Sequence, residues 1–271
     1  MDPLAPVIAA LHAESRPRVW SLVITVFGDS VQPRGGSIAT VRLQRLMERV
    51  GVTSGTLRTA LSRLRRDGWV ETERTGRHSR YRLSAEGLAR FAPATARIYA
   101  PPVTAPVTEW TLCQGCEEEA GFPVAPGLRL LPGKAPEGAT LAVTGQLSAL
   151  APGLREALLP PEQQAAIAAL LADVAALDGP EMGPRDAAAA RTLLVHRWRR
   201  LVLRWPEPPA ELLPEALRPR AAASPRAAVA RIYHALPPAA DAWFDTPLDD
   251  VPPMPPAGPA TAARFGGPAQ A

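Results

Sequence analysis

The chain has 271 residues, 46% hydrophobic and 21% charged, with mean hydropathy near zero. That is a globular composition with length for about two domains, and it excludes wholesale disorder. A formal net charge of +4 hides a segregation: residues 1–100 carry 16 Arg against 8 Asp and Glu, whereas the rest carries 14 basic and 18 acidic groups. The basic third is therefore the segment suited to a polyanion. With two cysteines there is no disulfide framework, and Met1 to Glu14 lacks the basic region of a secretory signal. The most apolar stretch, Val19 to Phe27, is too short to span a bilayer, so a cytoplasmic protein with no membrane role is expected.

In chain order, a Pro-interrupted lead precedes Arg18 to Val31, where Trp20, Val23, Ile24 and Phe27 recur at helical spacing. Gln32-Pro33-Arg34-Gly35-Gly36 breaks it. Thr40, read as an N-cap, opens a helix to Val50 that Gly51 stops. Thr53 or Ser54 caps a further helix in which Leu57, Leu61 and Leu64 form an i, i+4, i+7 stripe before Asp67-Gly68. Trp69-Val70-Glu71 and Tyr81-Arg82-Leu83 read as a β-hairpin turning at Thr75-Gly76, with Trp69 and Tyr81 as core anchors. Ser84 caps another helix towards Tyr99. Three helices, a hairpin and a helix form the winged helix-turn-helix layout, which ends at Ala100-Pro101-Pro102.

The middle offers strands at Trp110 to Leu112, Leu128 to Leu131 and Thr140 to Thr144, a small α+β unit. Helices follow over Pro161 to Leu177, Arg185 to Arg204 and Ser224 to Leu236. The expected divisions are a lead (1–15), a DNA-binding domain (16–100), a shortened central domain (101–180), a helical domain (181–246) and a disordered Pro/Ala-rich tail (247–271).

If the leucine stripe faces the core, Arg58, Thr59, Ser62, Arg63, Arg65 and Arg66 face outward, with Thr56 at the start of the same helix. An α-helix fits the major groove, Arg pairs in bidentate fashion with guanine, and Ser or Thr reach base edges or phosphates. Arg74, Arg77 and Arg80 put positive charge around the hairpin turn, where it suits the phosphate backbone or a narrow minor groove. These ten residues are the candidate DNA contacts.

Four segments also carry a family resemblance: Ser21 to Asp29, Pro33 to Gly36, Leu57 to Leu64, and Gly76 to Ser84. With Ala96 to Tyr99, Gly121-Phe122-Pro123 and Leu193 to Arg200, they resemble the PaaX-like family, repressors of phenylacetate catabolism. The resemblance spans roughly residues 16–245. It implies a homodimeric repressor with a winged helix, a central ferredoxin-like domain similar to Cas2, and a helical C-terminal domain. It further implies binding to an operator in double-stranded DNA and release by phenylacetyl-CoA or a related acyl-CoA effector. In the family a helix of about three turns precedes the Gly-Phe turn. Here only Cys113 to Ala120 stand in that place, which makes the central domain a shortened one.

Cys113-Gln114-Gly115-Cys116 has the spacing of two zinc ligands or a redox pair, but a zinc site takes four ligands and the chain has no second cysteine pair. No metal and no cofactor are expected, and a metal- or thiol-responsive regulator is the alternative reading. A second alternative is a DNA-binding protein without a sensor, recruiting partners through its tail. His196, among Leu193, Leu194, Val195, Trp198 and Leu201, reads as a packed histidine. Without a phosphate-binding glycine motif, a nucleophile elbow or paired carboxylates, the chain is not expected to be an enzyme.

Overall fold

The computed structural model describes residues 2–14, 18–75, 78–117, 121–220 and 222–267, without the side chains of Glu14, Thr75, His78 and Pro237. The chain divides into two compact units that interleave in sequence: residues 1–101, 172–203 and 229–271 form the first, and 102–171 with 204–228 the second. The architecture is mixed α/β, with two small sheets and several helices.

In the first unit, α1 (Ala5–Glu14) occupies the expected lead and buries Leu4, Val7 and Leu11 along one side. The predicted helix from Arg18 is α2 (Val19–Val26) followed by a π-helical turn over Phe27–Val31, and Ser21 to Val31 are all buried. Helix α3 (Thr40–Arg49) has Ala39 as its N-cap. Thr40, expected there, is the first helical residue, and its hydroxyl donates to Ser79 O at 2.9 Å. Helix α4 (Ser54–Arg66) is capped by Thr53, whose oxygen accepts from Thr56 N at 3.3 Å; this is the cap the sequence predicts. Strands β2 (Val70–Thr75) and β3 (His78–Leu83) pair antiparallel. A short strand the sequence did not announce, β1 (Ser37–Ala39), adds on the far side of β3.

Helix α5 (Ala85–Ile98) starts at Ser84, whose hydroxyl accepts from Gly87 N at 2.9 Å and donates to Gly68 O. The unit is completed by α8 (Pro184–Arg204), most of α9 (Pro225–Ala235) and α10 (Pro237–Asp245), which the sequence reading missed. Residues 247–267, expected as a disordered tail, instead lie against this unit. Val251, Met254 and Phe265 are buried, and Phe265 N donates to Tyr99 O at 2.9 Å. A few apolar anchors and one arginine among the prolines hold the segment, which composition alone does not register.

The second unit is built on β4 (Trp110–Gln114), β5 (Phe122–Ala125), β6 (Leu128–Pro132) and β7 (Leu141–Gly145) in the order β5-β6-β4-β7, every neighbouring pair antiparallel. Strand β5 and helix α6 (Pro152–Leu158) were not predicted; α7 (Pro161–Leu177), whose first part belongs to this unit, was predicted over its full length. Among the described residues no helix lies between β4 and β5 or between β6 and β7. Trp110, Cys113, Phe122, Leu130 and Leu131 are buried on the sheet, whereas β7 is exposed along its length.

Candidate nucleic-acid interface

Leu57, Leu61 and Leu64 of α4 are each 3% exposed or less, which fixes the rotation of the helix. Arg58, Thr59, Ser62, Arg63, Arg65 and Arg66 accordingly face solvent. They are not equivalent. Arg63 and Arg66 both lean on Asp67 at 3.4 Å, while Arg58 and Arg65 have no ion-pair partner among the described residues. The Thr59 hydroxyl donates back to Gly55 O at 3.1 Å, and that of Thr56 bonds the capping Thr53 oxygen at 2.9 Å.

Thr56, Thr59 and Arg63 share a strip that lines one wall of a groove of about 590 Å³, with Trp20 at the start of α2 on the other wall. The groove exists because α2 packs across α4, a tertiary relation without a local sequence signal.

The hairpin sorts its charges by register. Glu71 lies opposite Arg82 and Glu73 opposite Arg80. The Arg82–Glu71 pair closes at 2.7 Å. Arg80 is drawn onto β1, with Nε to Ser37 Oγ at 2.9 Å and Nη2 to Ser37 O at 3.1 Å. It is half-buried and holds the sheet together. Arg74, opposite Ser79, is exposed without an acidic partner among the described residues, and Arg77 lies outside them. Trp69 and Tyr81 are only partly buried, and Arg90 lies over the Trp69 ring at 5.4 Å.

Behind this surface is a buried polar hub centred on Asp29, 1% exposed. Its Oδ1 accepts from the Tyr99 hydroxyl at 2.9 Å, the Tyr233 hydroxyl at 3.1 Å and Arg264 Nη1 at 3.0 Å. Its Oδ2 faces Arg191 Nε at 3.0 Å and accepts from Ser30 Oγ at 3.1 Å. Burial, then the neighbouring Asp29 charge, raises the pKa of both tyrosines, so they stay protonated as donors. Nearby, Arg34 pairs with Asp241 at 2.9 Å and Asp245 at 2.5 Å. Arg42 donates to the carbonyls of Trp243 at 2.6 Å and Thr246 at 2.7 Å. These contacts tie the segment that carries α4 to α8, α9, α10 and the C-terminal residues. The sequence reading nominated none of them; an aspartate inside the apolar run from Ser21 to Val31 was the available signal.

Helix α8 does not gather its arginines into one phosphate site. Arg197 pairs with Asp173, Arg199 donates to Ser21 O at 2.9 Å and Thr25 Oγ1 at 3.1 Å, and Arg204 stacks on Trp205 at 4.3 Å. His196 is packed as expected, 3% exposed, with Nδ1 at 3.1 Å from Thr25 Oγ1. Burial, and then the positive charges of Arg199, Arg200 and Arg197, push its pKa down to about 3. Cys113 and Cys116 are paired as a disulfide across the Gly115 turn. No group of three His, Cys, Asp or Glu that would hold a metal occurs among the described residues. No helix among them is long and apolar enough to cross a membrane.

Comparison with known proteins places the chain in a family. Residues 18–87 match the PaaX-like protein family and residues 163–246 match the PaaX-like protein C-terminal domain. The transcriptional repressor PaaX of Escherichia coli (strain K12) is 39% identical over 92 residues, 34% of this chain; the match spans 29% of that relative's length. The solved structure of the uncharacterized protein Rv0674 from Mycobacterium tuberculosis aligns over 75% of this chain and 90% of its own, at 21% identity and a TM-score of 0.40. The family is one of regulators, in keeping with the expectation that the chain is not an enzyme. The two matched segments together cover more than half of the chain, which belongs to the PaaX-like family.

Proposed function

We propose that this protein is a transcriptional repressor whose residues 18–100 form a winged helix-turn-helix. In this reading α4 enters the major groove of a DNA operator and the β2–β3 hairpin is the wing on the backbone. The observation that carries it is the division of α4 into a buried leucine face and an exposed face on which Arg58 and Arg65 have no carboxylate partner. Two guanidinium groups about two helical turns apart on one exposed face are suited to guanine edges and phosphates. The relative named a transcriptional repressor supports the sign of regulation.

The resemblance extends this to an aromatic-acid pathway of the phenylacetate type, with an aryl- or acyl-CoA effector that releases the operator. The strand order β5-β6-β4-β7 supports a ferredoxin-like reading of the central sheet in which both crossovers have lost their helices. The homodimer is supported by β7, an uncharged edge strand with Leu141 51% and Val143 61% exposed, the kind of edge a free monomer blunts with charge.

Fluorescence anisotropy on the DNA upstream of the protein's own gene tests the reading. Salt-sensitive binding, tighter than to scrambled DNA and weakened by phenylacetyl-CoA, is expected. Equal affinity for both DNAs would remove sequence reading from α4, and indifference to the thioester would remove the effector. Val143→Lys is expected to shift the sedimenting species from dimer to monomer.

A further inference from the structure

The second unit holds a feature that the DNA reading does not use. Cys113, in β4, is 0% exposed and lies opposite Arg129 of β6 and Ala142 of β7. Cys116 follows after Gly115, which turns the chain at φ 72°. This turn is pressed onto the approach to β7: Thr140 N donates to Gln114 O at 2.9 Å, and a Cβ on Gly115 would come within 2.3 Å of Thr140 Oγ1. Cys116 itself is half-buried and forms part of the wall of a cavity of about 710 Å³, with Gly127, Arg129, Leu154 and Ala157 among the other lining residues. The two sulfurs of this disulfide are thus inequivalent, one sealed in the sheet and one facing a cavity, on whose wall Arg129 donates to Gly121 O at 2.8 Å.

We infer that Cys116 is a thiolation site, at which a low-molecular-weight thiol, entering by this cavity, exchanges with the Cys113–Cys116 disulfide. The incoming thiolate attacks Cys116 Sγ, a new S–S bond forms to the small thiol, and the old bond breaks with its electron pair leaving on Cys113, which takes up a proton. A second thiolate then attacks the sulfur of the bound thiol and expels Cys116. Two small thiols are oxidised to their disulfide and the protein disulfide is reduced to two thiols; the reverse sequence closes it again. Attack at Cys113 is barred because that sulfur has no exposed surface. Opening the bond removes the covalent closure of the Gly115 turn and leaves the Thr140–Gln114 hydrogen bond to hold it to β7.

The test uses the full chain and glutathione as the probe. Cys113→Ser and Cys116→Ser are each exposed to oxidised glutathione in buffer and in guanidinium, and the adduct is followed by intact mass. With Cys113→Ser, the remaining Cys116 is expected to be thiolated in buffer within about tenfold of its unfolded rate, whereas Cys113 in the other variant falls more than about 100-fold below its own. Equal protection of both, or faster reaction at Cys113, would overturn the assignment. The unaltered chain gives a readout that does not depend on the variants folding. Its disulfide is expected to open in reduced glutathione without denaturant, within about 100-fold of the rate in guanidinium. Opening that occurs only as fast as global unfolding would equally overturn the assignment. Neither readout involves DNA, so failure here leaves the proposed operator binding untouched.

Discussion

Asp29 shows how much one side chain can organise when water is excluded. Five groups, from the residue that caps the end of α5, from α8, α9 and the C-terminal segment and from its own neighbour, converge on its two oxygens. Asp29→Ala is expected to cost about 3–5 kcal/mol, because Arg191 and Arg264 would stay buried without their shared counter-charge. Urea unfolding measures this, and a loss below about 1 kcal/mol would mean that the two arginines re-pair elsewhere.

His196 gives the opposite case, a group kept neutral. Its folded pKa of about 3 lies below the ordinary 6.5, so below pH 6.5 the unfolded chain binds a proton that the folded chain refuses. The stability this group contributes is complete above 6.5 and is lost as the pH falls towards 3, at about 1.4 kcal/mol per pH unit. His196→Gln should flatten the decline of unfolding free energy between pH 6 and pH 4. An identical slope in the variant would assign acid sensitivity to other groups.

Among the elements, those with strong local signals were legible in the sequence. The leucine stripe, the Thr53 cap and the Asp67-Gly68 stop gave α4 nearly to the residue, and the Ser84 cap gave α5. Elements defined by pairing or docking were not. Strand β1 is three residues long and exists because β3 offers it an edge. Helix α10 begins in a Pro-rich run whose role as a first turn appears only once Trp243 and Phe244 have a place to pack.

The candidate site was legible in the same uneven way. Outward positions on α4 follow from helical periodicity, whereas the retention of Arg80 by Ser37 and the approach of Trp20 to Thr56 and Thr59 depend on tertiary geometry. The junction of hairpin and α5 gives an element-scale test. A Cβ on Gly87 would lie 2.2 Å from the Trp69 carbonyl oxygen. Gly87→Ala should therefore lower the melting temperature, at a cost of about 1–3 kcal/mol, even though alanine is the better helix former. A raised melting temperature would show that α5 can shift away from the hairpin freely.

On the scale of the molecule, the basic N-terminal third is not an independent appendage. Helices α8 to α10 and the C-terminal residues belong to the same compact unit, bound to it through Asp29, Arg34 and Arg42. Composition suggested a loose tail because prolines and alanines dominate it. Arg264, Phe265, Val251 and Met254 decide otherwise. A chain ended after Pro247 is expected to lose about 3 kcal/mol or more, seen as a lower melting temperature and greater protease sensitivity. An unchanged melt would return the segment to the status of a tail.

Within α4 and the hairpin, the described arginines without a carboxylate partner are Arg58 and Arg65 on α4 and Arg74 beside the hairpin turn, whereas Arg63, Arg66, Arg80 and Arg82 are paired. The most direct measurement of the account is operator affinity relative to scrambled DNA for the parent, Arg58→Ala and Arg74→Ala across a salt series. Arg58→Ala should lose about 1–3 kcal/mol on the operator and flatten its preference over scrambled DNA, while Arg74→Ala should weaken both alike and make the logarithmic salt slope shallower by about one. A specificity ratio unchanged by Arg58→Ala would contradict the claim that α4 reads the bases.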